Sequence, residues 1–441
     1  MSKHTGVIAA FSLLVCISAA GCAGEENDDI VNYLESVDDT ETEESEETAQ
    51  DELAWEWVIK PQEYEDCFLI NDCWFAVKDD NGKYKVIDDR GNLVFPDTYD
   101  NIAFFSEGVS AVSVDGKAFF IDLSAKEITA DFQTVVSFSE GLAAVKNMGE
   151  WGFLNHDGKI VIDCQYEEAR NFHDGLAAVK EAGSWGFINA DGTFVAECQF
   201  DEVRDYQEGF AVVRMDDRWG VIDQNGEVIA ACQYEEAKDY HEGLAAVKKD
   251  GYWGFLDTDG QEKIELVYAD AQNFSEGRAA VKREGAAGID EWAYIGAEGE
   301  IRIDFLPYDS IGGLMSVADE FHNGRAFVSH GLYCIIDTNG DFIFDGDSKF
   351  FISSFSYDEK WNAIPGYVYT DEAMRIRKYG LMGLHGEQRL EPVFDYVHGI
   401  YGDYVLVSEE MEDGEWRYGY IKLIEQSVPK EDELAEPDTY Q

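Results

Sequence analysis

One phrase returns on a fixed beat through the middle of the chain: FSEG, FSEG, FHDG, YQEG, YHEG, FSEG. Its aromatic residues are Phe105, Phe138, Phe172, Tyr206, Tyr240 and Phe274, so successive copies lie 33 or 34 residues apart. A fixed period of this size marks an array of supersecondary units, none of which buries its apolar face alone. A chain made by copying one packing unit is expected to be a scaffold or a binding surface rather than a catalyst.

The unit that begins at Phe138 holds three short apolar runs, at residues 142–146, 151–155 and 160–164. Each has strand length. Met148-Gly149-Glu150 separates the first pair, and His156-Asp157-Gly158-Lys159 the second. Asp-Gly between β-rich runs supplies the positive φ of a tight hairpin. Later copies keep that turn as Asp191-Gly192, Asn225-Gly226 and Asp259-Gly260. Helical periodicity is absent, so the unit reads as an antiparallel three-strand meander, with a fourth short strand through residues 168–172.

The middle strand carries the pair Trp-Gly, at Trp151-Gly152, Trp185-Gly186, Trp219-Gly220 and Trp253-Gly254, with echoes at Tyr379-Gly380 and Tyr418-Gly419. In a strand, Trp151 and Phe153 share one face while Leu154 takes the other. Both faces are apolar, which predicts cover on both sides and meanders stacked face to face. Gly152 has no Cβ, which predicts a bulge or the close approach of a neighbouring unit.

The pattern G-L/F-A-x-V-K…W-G-F/V-I/L-D…D/N-G…Y-[DE]-x-A resembles the bacterial WG (also KWG) β-repeat family. The resemblance runs over residues 74–424 and is most specific over 138–273. It implies β-structured repeats that mediate interactions, and it brings no catalytic residues. Strand pairs of the Ala144-Val145 type recur ten times, from Ala76-Val77 to Val405-Leu406. Propellers usually close with about 4–8 blades. The expected fold is therefore all-β, an open superhelical or solenoid-like array of about ten antiparallel meanders, with a closed β-propeller as the alternative.

The amino terminus reads as a targeting segment. Residues 7–17 form an apolar core too short for an ordinary membrane span, followed by Ser18-Ala19-Ala20-Gly21-Cys22. Small residues before a Cys after an apolar run resemble the lipobox of bacterial lipoproteins, although that family prefers Leu where this chain has Ala19. The resemblance implies cleavage after Gly21 and a lipid on Cys22. The expected organisation is a signal peptide over 1–21, a disordered acidic tether over 22–54, a repeat array over 55–424 and an acidic tail over 425–441. The tether has no Lys or Arg before Lys60 and cannot offset its ordering entropy.

The whole chain has 91 acidic and 33 basic residues, a formal charge of −58. Nucleic acid is excluded as a partner, because phosphate binding needs clustered Lys and Arg. Cationic partners are favoured. A saline habitat would give the same charge.

Cys164, Cys198 and Cys232 hold one phase of successive units and read as small buried apolar side chains. Cys67 and Cys73 sit six residues apart, where an export compartment permits a disulfide. His173, His241 and His322 share a turn slot with Ser139 and Gln207, so no metal site is expected. No catalytic arrangement and no cofactor motif stands out. Carboxylates recur after an aromatic residue at Asp100, Glu167, Asp201, Glu235 and Asp395. Recurrence in so many units points to architecture or multivalent binding rather than to a hydrolytic pair. Asp257-Thr258-Asp259-Gly260 and Asp337-Thr338-Asn339-Gly340-Asp341 superficially resemble calcium loops but coincide with hairpin turns.

Irregularity is the better pointer to function. From Gly277 to Gly324 the step is 47 residues, and later copies swell at 350–365 and 371–377. Long loops on a rigid scaffold carry binding. Trp292, Tyr357, Trp361 and Tyr369 are the candidate binding residues. The expected function is an extracytoplasmic, lipid-anchored scaffold that binds protein or polysaccharide without catalysis. A cell-envelope hydrolase using paired carboxylates, or a purely structural spacer, are the alternatives.

Overall fold

Asp-Gly and Glu-Gly pairs punctuate β-rich runs every ten residues or so, and the chain folds accordingly into short antiparallel sheets. The computed structural model describes residues 53–129, 131–284, 290–304, 317–329, 333–344, 351–352, 357–370, 376–384, 387–412 and 414–424. Cys22 and the segments 1–52 and 425–441 lie outside the described residues. Among the described residues there is no helix. The strands form ten sheets, nine of them simple meanders, within a unit spanning Gln50–Gln441.

Blade 4 shows the plan: Glu168–His173, Leu176–Glu181, Ser184–Asn189 and Phe194–Phe200 pair in that order. The segment expected as a fourth strand of the Phe138 unit is thus the first strand of the next blade. Its 1–2 hairpin turns on Asp174 and Gly175, both at positive φ. Two left-handed residues match the twist of a two-residue hairpin.

Ten apolar cores fill ten interfaces, one between each blade and the next. Phe153, Ile162 and Tyr166 of blade 3 meet Phe172, Ala177 and Val179 of blade 4. Leu154 of the same middle strand packs on the other side, with Phe120 and Phe138. Both faces of the strand are covered, as the alternation requires.

The tenth core closes the ring. It joins Cys67, Phe75 and Val77 of blade 1 to Tyr404 and Tyr420 of blade 10. The strand Ala54–Ile59 leaves blade 1 and adds itself to Trp416–Ile424, with Ala54 opposite Ile424 and Trp57 opposite Ile421. Trp55 and Trp57 then pack edge-on against Phe394, at 5.5 and 5.7 Å. Lys422 reaches Asp89 at 2.5 Å across the same seam. The array is therefore a closed ten-bladed β-propeller and not an open superhelix. The physical reason is that blade 10 lacks a fourth strand of its own and takes one from the beginning of the chain.

The Trp-Gly glycine has a defined task. A Cβ at Gly152, Gly186, Gly220 or Gly254 would lie 2.5–2.6 Å from the carbonyl oxygen of Ile162, Ala196, Ala230 or Ile264. In blade 3, Trp151 pairs with Tyr166 and Phe153 with Ile162, so the fourth strand bulges over the glycine. The expected bulge lies within the blade. Where another residue holds the position, the described fourth strand is shorter. Ala293 and Cys334 face described fourth strands of only three residues, Ile301–Ile303 and Phe342–Phe344. Lys85 and Phe119 face isolated bridges alone.

Cys67 is buried and Cys73 exposed, and both are free thiols rather than a bridge. Cys67 instead donates to Tyr418 O at 3.4 Å across the closing seam. Cys164, Cys198 and Cys232 are half-buried in the bulges, 3.9, 3.6 and 3.8 Å from the carbonyl oxygens of Val145, Val179 and Val213.

Candidate functional site

Two sets of repeated carboxylates have structural employment. The acid of each FSEG-type turn accepts a backbone N–H from the turn of the next blade. Gly175 N donates to Glu140 at 2.8 Å, Gly209 N to Asp174 at 2.9 Å, Gly243 N to Glu208 at 2.9 Å and Gly277 N to Glu242 at 2.8 Å. Glu107 begins this chain at Gly141, and Glu276 ends it at Gly324. The serine joins in: Ser139 Oγ donates to Phe172 O of the next blade at 2.7 Å. The repeated phrase is thus a handshake between neighbouring turns.

The second set follows each fourth strand. Glu167, Asp201 and Glu235 accept from Gly183 N, Asp216 N and Gly251 N, at 3.0, 2.9 and 3.1 Å. Asp100 and Asp395 do the same for Asp115 N and Glu410 N. Each carboxylate caps the 2–3 hairpin of the following sheet. The two calcium-like loops are hairpin turns, in which Asp257 and Asp337 each accept from backbone N–H groups two and four residues on. Among the described residues no group of His, Cys, Asp and Glu has the makings of a metal site.

Across blades 4 to 6 one charged row repeats over the Trp. Glu168 pairs with Lys180 at 2.7 Å, Glu202 with Arg214 at 2.8 Å and Glu236 with Lys248 at 2.8 Å. Each cation lies over its blade's Trp, joined by a second from the first strand: Arg170 at 4.8 Å from Trp185, Arg204 at 5.2 Å from Trp219, Lys238 at 5.6 Å from Trp253. These second cations also reach the next blade. Arg170 approaches Asp205 and Arg204 approaches Asp239, at 3.5 and 3.6 Å. Burial lowers the Lys238 pKa and raises that of Asp239. Trp185 and Trp253 are buried, Trp151 and Trp219 half-buried. The Trp is a packing residue held under cations, not a free ligand platform.

The four candidate binding aromatics separate. Trp292 is buried in the core between blades 7 and 8. It stands opposite Lys282, as Trp253 stands opposite Lys248, so it is the repeat Trp with Ala293 in the glycine place. Trp361 is buried too, and its indole N–H donates to Gly402 O at 2.9 Å. Tyr357 is half-buried beneath Arg325, and its hydroxyl donates to Asn362 at 2.8 Å. Only Tyr369 joins an aromatic assembly with partial exposure.

That assembly replaces the charged row in blades 9 and 10. Phe351, Tyr367, Tyr379 and Phe394 stand opposite one another across all four strands of blade 9. They hold the places of Glu168, Lys180, Trp185 and Phe200 in blade 4. The rings continue into blade 10. Tyr367 lies 5.2 Å from Tyr379, Tyr379 4.6 Å from Tyr396, Tyr396 4.7 Å from His398 and His398 5.2 Å from Tyr418. Arg377 covers Tyr367 at 4.8 Å and Tyr369 at 5.5 Å. Burial pushes the Tyr367 hydroxyl up to about 12 and holds the His398 imidazole below its usual value. His398 shares a 2.8 Å hydrogen bond with Ser408. Sequence reasoning found Tyr369 and missed the rest. The signal was the loss of Lys and Trp from positions that hold them in earlier copies.

Six consecutive stretches, residues 86–117, 119–149, 151–184, 185–219, 219–253 and 253–285, match the family model described as the WG containing repeat. No curated protein matches the chain. Among solved structures it is similar to a crystal structure of a eukaryotic initiation factor, at 9% identity over 74% of this chain and 96% of that one, with a TM-score of 0.44. It is also similar to BamB from Moraxella catarrhalis, at 11% identity over 66% of this chain and 96% of that one, with a TM-score of 0.32. Through residues 86–285, and with Trp-Gly on the third strand of each bulged blade from 3 to 6, the chain carries six copies of the WG repeat.

Proposed function

We propose that this protein is a non-catalytic binding scaffold, held outside the cytoplasm by a lipid on Cys22, and that its partner is a protein or a polysaccharide. One observation supports the binding reading above the others: turns of successive blades are locked to one another from Glu107 to Gly324, a rigid rim with the same backbone presented again and again. Rigid repeated surfaces suit partners that touch several units at once. The repeated carboxylates that would serve a hydrolase are spent on backbone N–H groups, in equivalent ways in several blades. A general acid and base would instead need one pair unlike its copies. The charge of −58 favours a partner without strong negative charge.

Two experiments test this. Cys22→Ala should move the full chain from the membrane to the soluble fraction, and membrane retention without loss of fatty-acid label would contradict the anchor. Affinity capture from the cell envelope with the full chain should return a protein or polysaccharide. Turnover of an envelope glycan, abolished by one carboxylate substitution with folding intact, would replace this reading with the hydrolase.

A further inference from the structure

We propose that the aromatic row shared by blades 9 and 10 is the ligand-binding surface, and that its ligand is an uncharged polysaccharide. The inference deepens the binding reading above and rests on it. The rings of Tyr367, Tyr379, Tyr396, His398 and Tyr418 follow one another at 4.6–5.2 Å and cross from one blade to the next. The row grows more exposed toward its end: Tyr379 is buried, Tyr396 and His398 are half-buried, and Tyr418 is 38% exposed. Trp416, two residues before Tyr418 on the same face of the strand, is 49% exposed. Tyr367, Tyr396 and His398 hold places that are charged in blade 4, those of Lys180, Glu168 and Arg170, so these rings are not demanded by the packing plan of the earlier blades, and they extend the Trp places of Tyr379 and Tyr418 into one continuous row.

Ligand chemistry follows from the rings. A tyrosine offers an apolar face and a polar tip in one rigid side chain. A pyranose offers the complement, a C–H face ringed by hydroxyls. Successive rings along one line suit successive sugars of a chain. An added β-strand would pair along one sheet edge, whereas this row crosses from strand to strand, from Tyr367 and Tyr379 in blade 9 through Tyr396 and His398 to Tyr418 in blade 10. A cation would find Tyr367 and Tyr369 already covered by Arg377. A polyanion would meet a chain of formal charge −58. An uncharged polysaccharide remains.

Affinity electrophoresis of the detergent-solubilised full chain, in gels containing xylan, mannan, laminarin or hydroxyethyl cellulose, with alginate as the acidic comparison, tests this. At least one neutral polymer should retard the protein. Trp416→Ala and Tyr418→Ala should each weaken that retardation about tenfold, as for aromatic contacts at the centre of a binding surface. Tyr418→Phe should keep most of it. Both alanine changes fall on exposed positions, and an unchanged melting curve confirms folding. Retardation equal in wild type and both alanine variants, by alginate alone, or by none of the polymers would overturn the assignment. In the last case, capture of an envelope protein would leave the scaffold reading standing, and capture of nothing would remove that as well.

Discussion

Blades 3 to 6 repeat one set of contacts, whereas blades 7 to 10 keep the strands and change what they carry. In the first arc every middle strand starts Trp-Gly and every described fourth strand is seven residues long. In the second, Ala293 and Cys334 replace the glycine, tyrosines replace Trp in blades 9 and 10, and the acid-to-turn handshake stops at Gly324. Blades 9 and 10 are joined by other means: Trp361 donates to Gly402 O, and Lys360 pairs with Asp403 at 2.5 Å. The difference teaches that packing between blades and the identity of the surface row are separable. One arc is constrained by repetition, and the other has room for a particular ligand.

The comparison can be broken most severely at the tryptophan. Trp185→Ala should cost about 3–5 kcal/mol, the range for a large core aromatic, whereas Trp416→Ala in the second arc should cost less than about 1 kcal/mol at its exposed site. Denaturant titration of both variants decides. A small loss at Trp185 would mean that the Trp-Gly motif is a surface ligand and not a packing device.

The glycine gives the next largest contrast. Gly186→Ala drives a Cβ against Ala196 O, and forced overpacking of this kind costs about 3 kcal/mol. The reverse change in the second arc, Ala293→Gly, should cost only about 0.5–1 kcal/mol, from lost backbone restraint. Equal effects at the two sites would detach the glycine from the bulge.

Smaller still is the handshake. Asp174→Ala removes the acceptor of Gly209 N at an exposed turn, worth about 1 kcal/mol or less. Replacing Glu140, Asp174 and Glu208 together should add these losses up, since equivalent sites in separate interfaces act nearly independently. The half-buried His398 sets the smallest effect. Its pKa is held down by burial, so the unfolded chain takes the proton first as pH falls. Stability from this residue is present above the ordinary histidine pKa of about 6.5 and is lost on acidification below it. His398→Gln should flatten that loss in a melting series from neutral to acidic pH.

Much of this was legible in the chain. The period, the ten copies, the covered faces around Trp151 and Leu154, and the bulge at Gly152 all follow from residues that repeat locally. Closure was not, because it joins residue 54 to residue 424 and leaves no mark on the period. Its one trace is a fragment out of phase. Val58-Ile59-Lys60-Pro61-Gln62 near the start resembles the fourth-strand run Val161-Ile162-Asp163-Cys164-Gln165, and the last copy has no such run of its own. The use of the acids was hidden for a related reason: Glu140 bonds to a turn in another copy, which no single repeat displays. Trp292 was misread as a loop residue because the alanine after it removes the motif that marks its register.

The central claim is that the ends of the array meet. Ala54 and Ile424 are cross-strand partners, and antiparallel partners lie about 4.5–5.5 Å apart at Cα, within disulfide reach. The double variant Ala54→Cys/Ile424→Cys should therefore oxidise to one intramolecular disulfide, found by peptide mapping of the monomer. An open array would hold those positions ten repeats apart, and free thiols or only intermolecular dimers at these two sites would contradict the closed ring.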